Sequence, residues 1–160
     1  MSAFKIWVDA DACPRDIAEI IVKAAVRLKL ESIFVANKFY RPPVGLGVSF
    51  QQVGAGADVA DAEIVAQSSG LDIVITQDIP LAGELVKKGI LAINPRGDLY
   101  TASSIAERLS IRNFMTDLRS AGISTGGPRP AEGKDKAKFA STLDATLTKR
   151  LKEAARITPE

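Results

Sequence analysis

The chain has 160 residues, enough for one domain with a proper core. Apolar residues make up 46% and charged residues 25%, the balance of a globular protein rather than a disordered one. A single cysteine excludes an internal disulfide, and the absence of histidine excludes a Ser-His-Asp triad, a Cys-His pair and His-ligated zinc, so any hydrolytic chemistry must rest on carboxylates, a metal or both.

The formal net charge is +2, and its distribution is uneven. Residues 1–126 hold 13 Lys and Arg against 14 Asp and Glu, while residues 127–160 hold 8 against 5. The acidic clusters therefore lie early and the tail is mildly basic. Asp9 and Asp11 interrupt the only early apolar run, which argues against a signal peptide. No apolar stretch is long enough to span a bilayer. These features predict a cytoplasmic protein with no membrane partner.

Residues 4–8 read as a first strand and 15–29 as a first helix, with Pro14 in its opening turn. Ile17, Ile20, Ile21, Ala24 and Leu28 form the helix's apolar stripe. Residues 32–36 read as strand two. Pro42, Pro43, Gly45 and Gly47 mark 37–47 as a loop. Residues 48–53 read as strand three. The Gly54–Ala57 turn leads into a helix from about Asp58 to Ser69. Residues 72–76 are the clearest strand, because contiguous Ile73, Val74 and Ile75 suit burial on both faces. A short helix over 79–88 and a fifth strand over 90–93 follow, then a turn at Asn94-Pro95-Arg96-Gly97 and a helix over 103–120. Strands alternating with helices predict an α/β fold of three layers, helix–sheet–helix, around a mostly parallel sheet of about five strands. The main domain covers 1–120. A Gly/Pro-rich linker covers 121–133, and a last helix covers about 134–156. Phe139, Leu143, Leu147 and Leu151 give that helix a stripe that must dock on the domain or on a second copy of the chain.

In open α/β sheets, ligands bind outside the carboxyl ends of the strands. Asp9 and Asp11 follow strand one, Asp58 and Asp61 follow strand three, and Asp78 follows strand four. An oxygen-only donor set suits a hard cation, Mg²⁺ or Mn²⁺. The reaction expected of such a site is metal-assisted hydrolysis of a phosphodiester. Asp58 and Asp61 are also spaced like a helix cap and its N3 partner, and Asp78 precedes a helix it can cap. Asp9 and Asp11 are harder to explain as caps, since one cap needs one side chain. Cys13 sits at a helix start but lacks the arginine six residues on that a Cys-phosphatase loop requires, Glu19 holding that place, and reads as a packed residue. Lys38, Tyr40 and Arg41 interleave cations with rings, a pattern suited to single-stranded RNA or to a loop with core-facing aromatics.

The blocks Val8-Asp9-Ala10-Asp11-Ala12-Cys13-Pro14, Ala57-Asp58-Val59-Ala60-Asp61, Val74 to Ala82, Asn94-Pro95-Arg96-Gly97 and Gly126-Gly127-Pro128 together resemble the YaiI/YqxD family of bacterial proteins, from about residue 5 to 150. That family is similar in outline to PIN-like nuclease domains. The resemblance implies Asp9 as the first acid, Asp78 as the third, Thr76 in support, and Asp58 or Asp61 as the middle acid. Read from its position after strand five, Arg96 could bind a phosphate at the same edge or equally be a turn arginine, and Asn94 is a supporting candidate beside it. Asp11 departs from the general PIN pattern. A strand ending in Asp-x-Asp also opens haloacid-dehalogenase-like phosphatases, which would make Asp9 a nucleophile and call on a lysine such as Lys87 or Lys88. A third reading is a non-catalytic RNA-binding module on a nuclease-like fold.

Overall fold

The computed structural model describes residues 3–54, 56, 59–120 and 133–157. Five strands, β1 (Lys5–Asp9), β2 (Glu31–Ala36), β3 (Val48–Gln52), β4 (Ile73–Ile75) and β5 (Leu91–Ile93), form one sheet in the order β3-β2-β1-β4-β5. Every pair in it is parallel. The helices are α1 (Arg15–Leu28), α2 (Val59–Gln67), α3 (Ile79–Lys87), α4 (Ala102–Ser120) and α5 (Gly133–Ile157). Asp58 and residues 121–132, most of the expected linker, lie outside the described residues.

Strand burial follows from the layers. Ile6, Val8, Phe34, Ile73, Ile75 and Ile93 pack on one face, under α1 and α5. Trp7, Ile33, Val35, Val74 and Ala92 pack on the other, under α2, α3 and the start of α4. Apolar side chains on both faces explain why the strands read as continuous hydrophobic runs. The α5 stripe is used inside the chain: Phe139, Leu143 and Leu147 are buried in the α1-side core, with Leu151 against it. Two ion pairs between exposed partners, Arg27 with Asp144 and Lys136 with Asp16, link α1 to α5 at the surface.

The connection from β2 to β3 joins parallel strands without a helix. It runs across α1 instead, so close that a Cβ on Gly45 would lie 2.6 Å from Val22 Cγ1. At the far side of the sheet, Gly97 makes a second close approach. Its φ is +95°, and a Cβ there would stand 2.7 Å from the Phe139 backbone nitrogen. Next to it, Asp98 pairs with Arg108 of α4 and Lys138 of α5, tying both helices to the β5 turn. Gly97→Ala therefore meets a backbone clash and an unfavourable φ together. It is expected to cost about 2–4 kcal/mol in urea denaturation.

Candidate functional site

With all strands parallel, all carboxyl ends lie at one edge. The strand order reverses between β1 and β4, since the chain leaves β1 for β2 on one side and returns from β3 to β4 on the other. The register continues Val8 opposite Ile75 into Asp9 beside Thr76. Asp9 follows Trp7 in the strand alternation, so its side chain emerges on the α2–α3 face. There Asp9, Asp11, Asp61 and Asp78 line one cavity of about 280 Å³ with Asn37 and Gln77. Among the described residues, no lysine or arginine lines it.

Each acid reaches the cavity by a different local route. Asp9 ends the central strand and is only 6% exposed. The Thr76 hydroxyl donates to its Oδ2 at 2.9 Å. A single 3-10 turn, Ala10–Ala12, then carries Asp11 out to the surface, where its Oδ2 accepts the Asn37 backbone N–H at 2.9 Å. Asp78 caps α3, its Oδ1 accepting from Leu81 N at 2.9 Å. Its own N–H donates to Thr76 Oγ1 at 2.9 Å. Asp61 stands in the first turn of α2. Thr76 thus joins two acids: it donates to one and accepts from the backbone of the other.

Behind Thr76 lies a buried relay. The Tyr100 hydroxyl donates to the Thr76 carbonyl at 3.1 Å, and Asn94 Nδ2 donates to the Tyr100 oxygen at 3.1 Å. Burial pushes the Tyr100 phenol up, which keeps it a donor. Asn94 therefore acts from behind the cavity wall. Arg96 does not line the cavity; its N–H donates to Asn94 Oδ1 within the turn.

Sequence reading missed two residues. Asn37 holds Asp11, and its side-chain amide donates to the carbonyls of Gly54 and Gly56, fastening the β3–α2 turn beside the cavity. Gln77 reaches across to the Ala12 carbonyl at 2.6 Å. The usable signal was position, since Asn37 directly follows a parallel strand. Among the nucleic-acid candidates, Lys38 and Arg41 are exposed. Tyr40 is a packing residue: its ring stacks on Phe34 with centroids 5.7 Å apart, beneath the Arg15 guanidinium. Cys13 packs against the α1-side core, and burial, aided by Asp9, pushes its thiol up to about 12.

The electrostatics are dominated by Asp9. Burial first, then the charges of Asp11 and Asp78, push its carboxyl up to about 6 against the Thr76 hydrogen bond. Among the described residues, no three acids are drawn together as a finished ligand cage. One oxygen each of Asp9, Asp11 and Asp78 is held by a protein donor. Among the described residues, the second oxygen of each accepts none. That arrangement fits a cation that keeps much of its water and needs only one or two protein carboxylates, as Mg²⁺ does.

A family model described as "Uncharacterized BCR, YaiI/YqxD family" matches residues 7–149. The chain belongs to the YaiI/YqxD family. Relatives named UPF0178 protein bear this out. The one from Myxococcus xanthus is 49% identical over 92% of this chain and 97% of its own length. The one from Syntrophobacter fumaroxidans is 53% identical over the same shares. That from Acinetobacter baumannii strain AYE is 48% identical over 97% of this chain and all of its own. No solved structure matches. No helix among the described residues is long and apolar enough to cross a membrane.

A carboxyl titrating near 6 in the folded state and near 4 in the unfolded chain is a stability statement. Between those values the native state binds the extra proton, so stability falls as pH rises from about 4 to about 6. Asp9→Asn removes this loss and keeps an acceptor for Thr76. The variant is expected to be about 2–3 kcal/mol more stable than wild type at pH 7.5 and no more stable at pH 4. Chemical denaturation at the two pH values measures it.

Proposed function

We propose that this protein is a Mg²⁺- or Mn²⁺-dependent nuclease, PIN-like in its site, that hydrolyses phosphodiester bonds in RNA. The observation that carries the reading is the Asp9 carboxylate. It is buried at the end of the central strand, faces two further acids, and has no lysine or arginine among the described residues that line its cavity. Evolution of a stable fold alone gives no reason to keep such a group, because leaving like charges together is costly.

Asp9 and Asp78 would hold the metal, with Asp11 and Asp61 completing the set directly or through water. Asp58 stands outside the described residues and remains the other candidate for the middle acid. A bound hard cation would supply charge stabilisation at phosphoryl oxygens and lower the pKa of water. The chain's own residues do the positioning. Thr76 fixes the Asp9 carboxylate by donating to one oxygen, which leaves the other turned to the cavity. Asn37 does the same for Asp11 through its backbone. The Asn94–Tyr100 relay keeps the Thr76 backbone in place. Lys38 and Arg41, exposed on the segment that leaves Asn37, offer cations to a polyanionic strand. Tyr40 has no part in this, since its ring is packed.

The phosphotransferase alternative gains no support. Lys88 donates to the carbonyls of Val65 and Ser68 at the end of α2, and neither it nor Lys87 lines the acidic cavity. It would revive on a phosphoryl or fluoroberyllate adduct trapped on Asp9.

Calorimetric titration with Mn²⁺ tests the proposal. Wild type is expected to give saturable heat, and Asp9→Asn none. Thr76→Val, which leaves every acid in place, is expected to weaken Mn²⁺ about 10- to 100-fold. Cleavage of a single-stranded oligoribonucleotide should follow the same order. Undiminished cleavage by the Asp9 variant would refute the assignment. Salt-sensitive RNA binding that persists in EDTA, with no turnover in Mn²⁺, would replace it with the binding-module reading.

A further inference from the structure

The two edges of the sheet are treated differently. Beyond β5 the chain folds back: Leu99 bridges Ile93 in antiparallel fashion, Tyr100 N donates to Ala92 O at 2.9 Å, and Asn94 N donates to Asp98 O at 2.8 Å. That edge is covered. The β3 edge is not. β3 pairs with β2 alone. The ladder is pinned at its ends by Ser32 N to Gly47 O and by Val53 N to Ala36 O. In a parallel pair, successive residues turn their backbone groups to alternate sides. Residues 49 and 51 therefore serve β2, and the N–H and C=O of Phe50 and Gln52 point away from the sheet. Among the described residues, nothing bonds to them there.

Proteins blunt such an edge with lysine, proline, a bulge or a covering segment. Val48-Ser49-Phe50-Gln51-Gln52 contains no charge and no proline, and its pairing with β2 has no bulge. The flanks are apolar as well. The Phe39 ring is 72% exposed and stands edge-on to Phe50 with centroids 6.1 Å apart. Val44 is 100% exposed and Leu46 86% exposed on the segment entering the strand.

We propose that β3 is a dimerisation edge, pairing antiparallel with the β3 strand of a second copy of this chain about a two-fold axis at Phe50. A second copy is the occupant these residues suit, for a reason of symmetry. In a two-fold interface every residue near the axis meets its own kind. A charge on this strand would face a like charge, and the strand has none. Phe50 exchanges both N–H···O bonds with the partner subunit's Phe50. Gln52 donates to the carbonyl of the partner subunit's Val48. The Val48 N–H is already spent on Gly45 O, which ends the ladder there. Phe39 and Phe50 of both copies then close over the seam on the α1 side. Antiparallel joining sends the two acidic cavities to opposite edges of a ten-stranded sheet, so the proposal stands apart from what those cavities do. It also moves the expected self-association from α5, whose stripe is buried within its own chain, to the far side of the sheet.

Two variants test it by different routes. Gln52→Pro deletes an outward donor without touching the β2 ladder, a strand setting in which proline is tolerated. Phe39→Asp leaves the backbone intact and sets two like charges beside the seam. Light scattering coupled to size exclusion is expected to give wild type a mass near twice that of one chain, and both variants the mass of one. Circular dichroism confirms that the variants are folded. Amide exchange supplies the signature a merely structural role would not give: the Phe50 N–H exchanges slowly in the dimer and at open rates in both variants. A wild type that is monomeric at all accessible concentrations overturns the proposal. So does a dimer that survives both substitutions with a fast-exchanging Phe50 amide.

Discussion

The hydrogen bond from Thr76 to Asp9 is the constraint on which the candidate site depends. It joins the ends of the two strands at the reversal of strand order, and it is buried at both ends. Asp9 has no room to rotate away from its neighbours, so the repulsion from Asp11 and Asp78 is built into the fold rather than relaxed into solvent. Thr76 does this with one hydroxyl, because its lone pair also takes the Asp78 N–H and so sets where α3 begins. A valine would fit the same volume and lose both bonds.

Support for the Thr76 backbone comes from the segment that follows β5. Tyr100 and Asn94 belong to the segment that folds back over the β5 edge. Asp98, in the same segment, is held below the usual carboxylate range, by the Lys138 hydrogen bond first. The covered edge, the docking of α4 and α5, and the placement of Thr76 are therefore one construction. On the other side of the sheet no described residue makes a corresponding construction, and β3 pairs with β2 alone.

Much of this was legible in the sequence, for identifiable reasons. The run Ile73-Val74-Ile75 announces a strand buried on both faces, and the acids after strands one, three and four fall at the ligand edge of any parallel sheet. Every expected strand and helix is present, with ends moved by one or two residues. What the sequence hid depends on neighbours distant in the chain. Asn37 looked like the start of a loop because nothing local says that β2 lies beside β1. Tyr40 was legible as a stacking surface or as a core-facing ring, and the partner that decides for the second, Phe34, lies on the preceding strand with its ring turned to the α1 side. Asp78 was legible as a cap or as a site residue, and the structure gives it both places, one oxygen for each. Arg96 was legible as a phosphate ligand or as a turn arginine; its N–H bonds Asn94 Oδ1 within the turn, and it is not among the described residues that line the cavity.

The helix-free crossing from β2 to β3 has a consequence for how the molecule is made. That connection lends the α1 layer only a thin strap, so the sheet's cover on this side is finished by Phe139, Leu143 and Leu147. These residues are translated more than a hundred positions after the first strand they shelter. During synthesis, Ile6, Val8 and Phe34 must therefore wait with half their surroundings missing. Completion of this layer waits until α5 has been made and can dock beside α1.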